Sequence, residues 1–206
     1  MSSANSAKLR MAVLASGEGQ TLQALLDASE SGALHGEVVL LLSNNADSGA
    51  MLRAQQQGIA TLHLSSKTHP DADALDAAVT EALLQAQPDV VVMTGYMKRL
   101  GLRALDAFKE RIINTHPSLL PKFGGQGMYD RHVHSAVLAA GERETGATVH
   151  FVEGDYDSGR HIAHVNVPVL SDDSVDSLAQ RVKTAERLLL VHVLQQRALL
   201  GHFIRT

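Results

Sequence analysis

Asn114 and His116 stand two residues apart in Asn114-Thr115-His116-Pro117-Ser118-Leu119-Leu120-Pro121, at the carboxyl end of a predicted strand, Arg111–Thr115. An asparagine amide can donate to a carbonyl oxygen, and an imidazole can gain or lose a proton near neutral pH. On an extended segment the two side chains point to one face. In an open α/β sheet that end of a strand faces the ligand crevice. Pro117 and Pro121 stiffen the loop beyond the strand. The pattern Asn-x-His-Pro at Asn114–Pro117 also describes a strand-ending turn with an exposed histidine, so the chemical reading needs a partner for His116. Asp155-Tyr156-Asp157-Ser158-Gly159 offers two carboxylates, although most Asp-Ser-Gly segments are only turns.

Three further groups invite chemistry. Ser16-Gly17-Glu18-Gly19-Gln20-Thr21 joins a predicted strand to a predicted helix, and the pattern fits equally an ordinary strand-to-helix turn and a tight glycine turn that presents backbone N–H groups and the positive helix end to an anion. Leu22 stands where a dinucleotide-binding fingerprint needs glycine, and no Gly-Lys-Ser/Thr is present in this turn. His132 and His134, and likewise His161 and His164, suggest a metal. The first pair diverges on a helix, the second is expected on opposite faces of a strand, and neither has a third ligand at a recognised spacing. Lys183 and Glu186 form an i, i+3 pair that by itself reads as a solvated helix face.

Short apolar runs alternating with helical periods must position these groups. Strands are expected at Leu9–Ala15, Glu37–Leu42, Thr61–Leu64 and Asp89–Thr94, with helices after Ser16–Gly19, at about 47–57 and at Asp71–Gln85. Continuous apolar strands in this order predict a doubly wound α/β fold, a mostly parallel sheet with helices on both faces. The remainder changes character: a glycine-rich loop at Pro121–Tyr129, a helix at Val133–Gly141, and strands at Thr148–Glu153 and Ile162–Leu170. A long helix with Val175, Leu178, Val182, Leu189 and Val193 on one face, N-capped by Asp172 or Ser174, closes the chain. These strands predict an antiparallel extension in the C-terminal half.

Composition bounds the function. The 206 residues fit one domain, read as 9–206 behind a flexible tail at 1–8. At 45% hydrophobic and 19% charged the chain can bury a core, and a net charge of −4 argues against an unspecialised grip on nucleic acid. The absence of cysteine removes disulfides, thiolate metal sites and a cysteine nucleophile. No apolar run approaches the roughly 20 residues of a membrane span, and Met1–Lys8 lacks the apolar segment of a secretory signal. A cytoplasmic protein with no membrane partner is expected.

Taken together, Val13–Ala28 (VLASGEGQTLQALLDA), Ile113–Phe123 (INTHPSLLPKF) and Thr148–Val169 (TVHFVEGDYDSGRHIAHVNVPV) resemble the glycinamide ribonucleotide formyltransferase family of purine synthesis, and the likeness runs from about Leu9 to Ile204. The resemblance implies that Asn114, His116 and Asp157 are catalytic. It also implies that Gly19, Gln20 and Thr21 hold the ribonucleotide phosphate, and that Lys183, Thr184, Ala185 and Glu186 contact the same substrate. Met97, Lys98, Arg99 and Leu100, with Asn114, would line the pocket of the co-substrate 10-formyltetrahydrofolate. The family commonly has Asn at Thr21 and often Ser at Gln20, which implies a retuned phosphate site. A basic residue often found after the third strand has no partner near Ala72. No metal is implied, the partners are small molecules, and the resemblance allows a homodimer.

The implied reaction is direct transfer of the formyl group to the amine of 5-phosphoribosylglycinamide in a ternary complex, with Asp157 expected to favour the imidazolium form of His116. The glycine-rich loop Lys122–Asp130 has the composition of a segment that orders over the folate. Other members of this class stay open. A methionyl-tRNA formyltransferase would need an added basic domain beyond Thr206, and a formyltetrahydrofolate hydrolase an N-terminal regulatory domain. A catalytically idle binding module would have no use for Asn114, His116 and Asp157 together.

Overall fold

Val90–Met93, the most β-branched run of the chain, is buried at every position and forms strand β4 in the middle of the sheet. A strand buried on both faces has no solvent side, so its residues need not alternate in polarity. The computed structural model describes residues 7–199, so positions 1–6 of the tail expected at 1–8 and the chain after 199 lie outside the described residues. Within that span the remaining strands are β1 (Leu9–Leu14), β2 (Gly36–Ser43), β3 (Thr61–His63), β5 (Ile112–His116), β6 (Glu144–Phe151) and β7 (His161–Pro168). The helices are α1 (Gln20–Glu30), α2 (Gly49–Gln56), α3 (Ala72–Ala86), α4 (Leu102–Ala107), α5 (Arg131–Ala139) and α6 (Val175–Leu199).

The strands lie in the order β3-β2-β1-β4-β5-β6-β7. Those from β1 to β5 are parallel, and β6 and β7 add on antiparallel, as the sequence predicts. Helices α1, α2 and α6 cover one face, where Leu22, Leu25, Ala50, Leu190 and Leu194 pack on Met11, Val13 and Ile113. Helices α3 and α4 cover the other, where Val79, Leu83 and Ala104 pack on Ala12, Leu14, Val91 and Ile112. Helix α5 joins α6 over Ala147 and Val167. Ser174 takes the N-cap role on α6 by accepting from the Ser177 N–H.

Two elements depart from expectation. Helix α4 was not anticipated, because six residues carry too little period and its N-cap, Gly101, has no side chain. Asp76 of α3 supplies the missing acceptor from outside, taking the N–H groups of Arg103 and Ala104 at 2.9 and 3.3 Å. Strand β6 begins at Glu144, not Thr148, since pairing with β7 carries it through the polar start Glu144-Thr145-Gly146. Among the described residues no helix is long and apolar enough to cross a membrane.

Candidate active site at the carboxyl end of the sheet

Ile112 belongs to the core under α3 and α4 and Ile113 to the core under α1 and α6. Strand alternation then puts Asn114 and His116 on the side of Ile112, and Thr115 on the side of α6. Beyond His116 the chain is held by the neighbouring strand. Thr148 lies opposite His116, donates to the Ser118 carbonyl at 2.7 Å and accepts from the Leu120 N–H at 3.1 Å. The Ser118 hydroxyl closes the turn on the Lys122 carbonyl at 2.6 Å.

This turn delivers the glycine-rich loop into the site. The Phe123 carbonyl lies 2.7 Å from His116 Nε2, and the Gly125 N–H donates to Asp157 Oδ2 at 2.9 Å. Asp157 Oδ2 is also 3.3 Å from His116 Nδ1. The carboxylate expected to reach His116 is therefore Asp157, 41 residues away in sequence, with only 10% of its side chain exposed. Its φ of 54° is left-handed, a conformation costly for a residue with a Cβ. Gly159 makes that turn feasible, because a Cβ there would lie 1.9 Å from the Phe151 carbonyl oxygen.

His150, on β6 directly opposite Asn114 and 2% exposed, completes the cluster. Its Nε2 lies 3.1 Å from Asn114 Nδ2 and 3.4 Å from Asp157 Oδ1, and its Nδ1 lies 2.8 Å from the Phe151 carbonyl. Asp157 thus bridges two histidines. Sequence reasoning did not single out His150; the available signal was its place in an alternating strand that pairs with the Asn114 strand. His116 corrects an expectation. Burial holds its imidazole below the ordinary histidine range, outweighing the upward pull of Asp157 and of the Phe123 carbonyl. Asp157 stays below the ordinary carboxylate range: burial pushes it up, but the two histidines beside it and the Gly125 N–H prevail.

The Ser16–Thr21 turn is pinned from α2. The Ala50 N–H donates to the Gly17 carbonyl at 3.0 Å and Arg53 Nε to the Glu18 carbonyl at 2.9 Å. Gly19, the α1 N-cap, has φ 73°, and a Cβ there would meet the Ala50 Cα at 2.6 Å. No side chain caps α1 and its first turn carries no carboxylate, so the positive end formed by the N–H groups that begin with Gln20 and Thr21 is not neutralised by the helix's own residues.

Lys183 and Glu186 do not pair with each other. Lys183 Nζ reaches Asp130 Oδ1 at 2.7 Å, tying α6 to the end of the glycine-rich loop and lowering the Asp130 carboxyl pKa. Glu186 accepts from the Thr115 hydroxyl, and burial pushes its carboxyl above the ordinary range against that bond. Arg187, one helical turn beyond Lys183 and not anticipated, donates to Gln20 Oε1 at 3.1 Å. One side of α6 therefore touches the loop, the β5 strand end and the α1 N-terminus. Thr184 is exposed with its hydroxyl on the Gln180 carbonyl, and Ala185 packs into the core under α5.

Among the residues expected to meet the folate, Met97 donates its N–H to Ser16 Oγ at 2.9 Å and is 47% exposed, Lys98 is exposed, and Leu100 is buried. Arg99 donates to Asp155 Oδ1 at 2.9 Å and lies over the Tyr156 ring, joining this segment to the Asp157 turn.

The remaining histidines are dispersed. His132 is exposed beside Tyr129, while His134 is fully buried with neither ring nitrogen hydrogen-bonded among the described residues. His161 and His164 were expected on opposite faces and instead share one. A register shift between Val149 and His150 sets His164 opposite Thr148 and His161 opposite His150. Among the described residues no three His, Asp or Glu side chains converge as metal ligands.

Asn114, His116, His150 and Asp157 thus meet at the strand ends beside an uncapped helix N-terminus, and the chain belongs to the formyl transferase family, whose model matches residues 9–194. Within that family it is similar to the phosphoribosylglycinamide formyltransferase of Escherichia coli, 37% identical over 88% of this chain and 83% of that protein. The chloroplastic phosphoribosylglycinamide formyltransferase of Vigna unguiculata is 38% identical over 90% of this chain, which spans 60% of that relative's length. The crystal structure of phosphoribosylglycinamide formyltransferase from Bacillus halodurans, 31% identical, superposes with a TM-score of 0.87 over 95% of this chain and all of that one.

Proposed function

We propose that the chain transfers the formyl group of 10-formyltetrahydrofolate to the primary amine of 5-phosphoribosylglycinamide. The observation that carries the reading is the 3.3 Å approach of Asp157 to His116 on the sheet face that also bears Asn114. The amine attacks the formyl carbon, a C–N bond forms, and the carbonyl pair moves onto oxygen. Collapse restores the carbonyl and expels the folate nitrogen, which gains a proton as the amine loses one. An Asn114 N–H donates to the oxygen where charge develops. His116, held below its ordinary pKa, rests neutral with its hydrogen on Nε2 toward the Phe123 carbonyl. Once that carbonyl yields Nε2, the Nδ1–H tautomer faces Asp157 and its Nε2 lone pair accepts the proton, and the imidazolium then faces the Asp157 charge. Such differential stabilisation acts on the transition state more than on the substrates.

The ribonucleotide phosphate binds the N–H groups at Gly19, Gln20 and Thr21, with Lys183 and Arg187 adding positive charge from α6. Met97–Leu100 line the folate side. Remote binding of the phosphate orients the amine.

The test is folate product absorbance with and without phosphoribosylglycinamide. Product only with the amine supports the reading, and product without it assigns hydrolysis instead. His116→Ala and Asn114→Ala each lower kcat about 10²- to 10⁴-fold. Wild-type turnover in His116→Ala refutes the mechanism.

A further inference from the structure

We propose that His150 is a positioning residue for formyl transfer, holding Asn114 as a hydrogen-bond donor through contact with its side-chain amide. This rests on the formyltransferase reading above, and it concerns a residue that reading does not use. The placement of protons decides the contact. A carbonyl oxygen only accepts, so the 2.8 Å contact of His150 Nδ1 with the Phe151 carbonyl places a hydrogen on Nδ1. The neutral ring then carries a lone pair at Nε2, which faces Asn114 Nδ2 at 3.1 Å and accepts one of its two N–H bonds.

An amide held this way cannot rotate by 180° without setting its oxygen against the Nε2 lone pair. Its second N–H is left for the reacting oxygen. The constraint is firm because His150 is 2% exposed and faces Asn114 across a paired strand, so water does not compete for the contact. Asp157 Oδ1 lies 3.4 Å from the same Nε2. A proton on Nε2 would turn the ring toward the carboxylate and cost Asn114 its acceptor. In the tautomer assigned, His150 therefore serves Asn114 alone, and the nearby Asp157 Oδ1 makes no hydrogen bond to its ring.

The test is a cycle of His150→Phe, Asn114→Ala and the double variant, with kcat and KM measured for both substrates and His150→Gln as the conservative replacement. In the wild-type background His150→Phe lowers kcat about 10- to 100-fold with KM changed by less than about threefold, since only an interaction of the transition state is loosened. His150→Gln, whose side-chain oxygen falls near the Nε2 position, restores most of the rate. In the Asn114→Ala background His150→Phe costs less than about twofold, because nothing remains to be positioned. Additive losses in the double variant, or no rescue by Gln, overturn the proposal. Histidine ¹⁵N spectra of the wild-type protein read the Nδ1–H tautomer at His150 without any turnover; an Nε2–H signal at neutral pH also overturns it. Absence of formyl transfer in the wild-type protein would sink the functional reading, while the spectrum would still decide the contact with Asn114.

Discussion

Replacing Asp157 by Asn preserves shape and removes one charge at the centre of the cluster. Asp157 Oδ2 serves His116 Nδ1 at 3.3 Å and the Gly125 N–H at 2.9 Å, and Oδ1 faces His150 Nε2 at 3.4 Å. Asparagine keeps a single acceptor oxygen. If that oxygen stays on Gly125 and His116, the amide nitrogen turns toward His150 Nε2 and competes with Asn114 for its lone pair. If it turns the other way, His116 and Gly125 both lose their acceptor. A hydrogen bond to a charged group contributes about 1.5–3 kcal/mol. At about 1.36 kcal/mol per decade, losing the one that stabilises the developing imidazolium lowers kcat roughly 10- to 150-fold. KM for both substrates stays within about threefold, because neither binding site contains Asp157. The sign of the pH effect comes from the same geometry. Burial already holds His116 low and the Asp157 charge opposes it, so Asn lets the imidazole fall further. The limb of the pH–kcat profile that belongs to His116 then moves to lower pH. The assay is folate absorbance at saturating amine across the pH range. Unchanged kcat with an unmoved profile, or a raised KM at constant kcat, would show that Asp157 does not act on His116.

Two perturbations away from the histidines separate binding from stability. Gly19→Ala places a Cβ at φ 73° and 2.6 Å from the Ala50 Cα, where backbone cannot yield, and destabilises the fold by about 2–4 kcal/mol in urea titration while raising KM for the phosphorylated amine. A variant as stable as wild type would mean that the turn is not pinned on α2. Glu186→Gln acts in the opposite direction on stability. The Glu186 carboxyl is raised in the folded state, so its contribution is full below its unfolded value and lost as pH rises through the folded one. At neutral pH the neutral amide removes that cost while still accepting from Thr115, and Tm rises by about 2–4 °C, an advantage that fades toward pH 4. The same variant binds phosphoribosylglycinamide about tenfold more weakly, having lost a charged acceptor. A lower Tm at pH 7 refutes the account of the buried carboxyl.

The parallel half of the fold was legible because its signals are local. Val90–Met93 and Leu9–Leu14 are apolar almost throughout, and helices of 11 and 15 residues show their period through Leu22 and Leu25 or Val79 and Leu83. Asn114 and His116 were legible for the same reason, since two-residue spacing on a strand fixes a common face without knowledge of any other element. Helix α4 fails this criterion: its cap is Asp76, on a different helix, and six residues hold less than two turns of pattern.

The rest of the site depends on register and on backbone, and neither is written in residue type. His150 matters because β6 pairs antiparallel with β5 in the one register that sets it opposite Asn114; a slip of one residue would bring Val149 there and turn the imidazole to the other face. Phe123 and Gly125 enter through a carbonyl and an N–H. Any residue would supply the first and any but proline the second, so no side chain announces them. The His116 pKa is a balance between burial and a nearby charge. Sequence suggests the charge, because aspartate is visible, but the burial comes from the loop folding back over the strand end. Opposed effects can be ordered only when both the burial and the distance to the charge are known. This is why the sign of the His116 shift reversed while the identity of its partner, Asp157, did not.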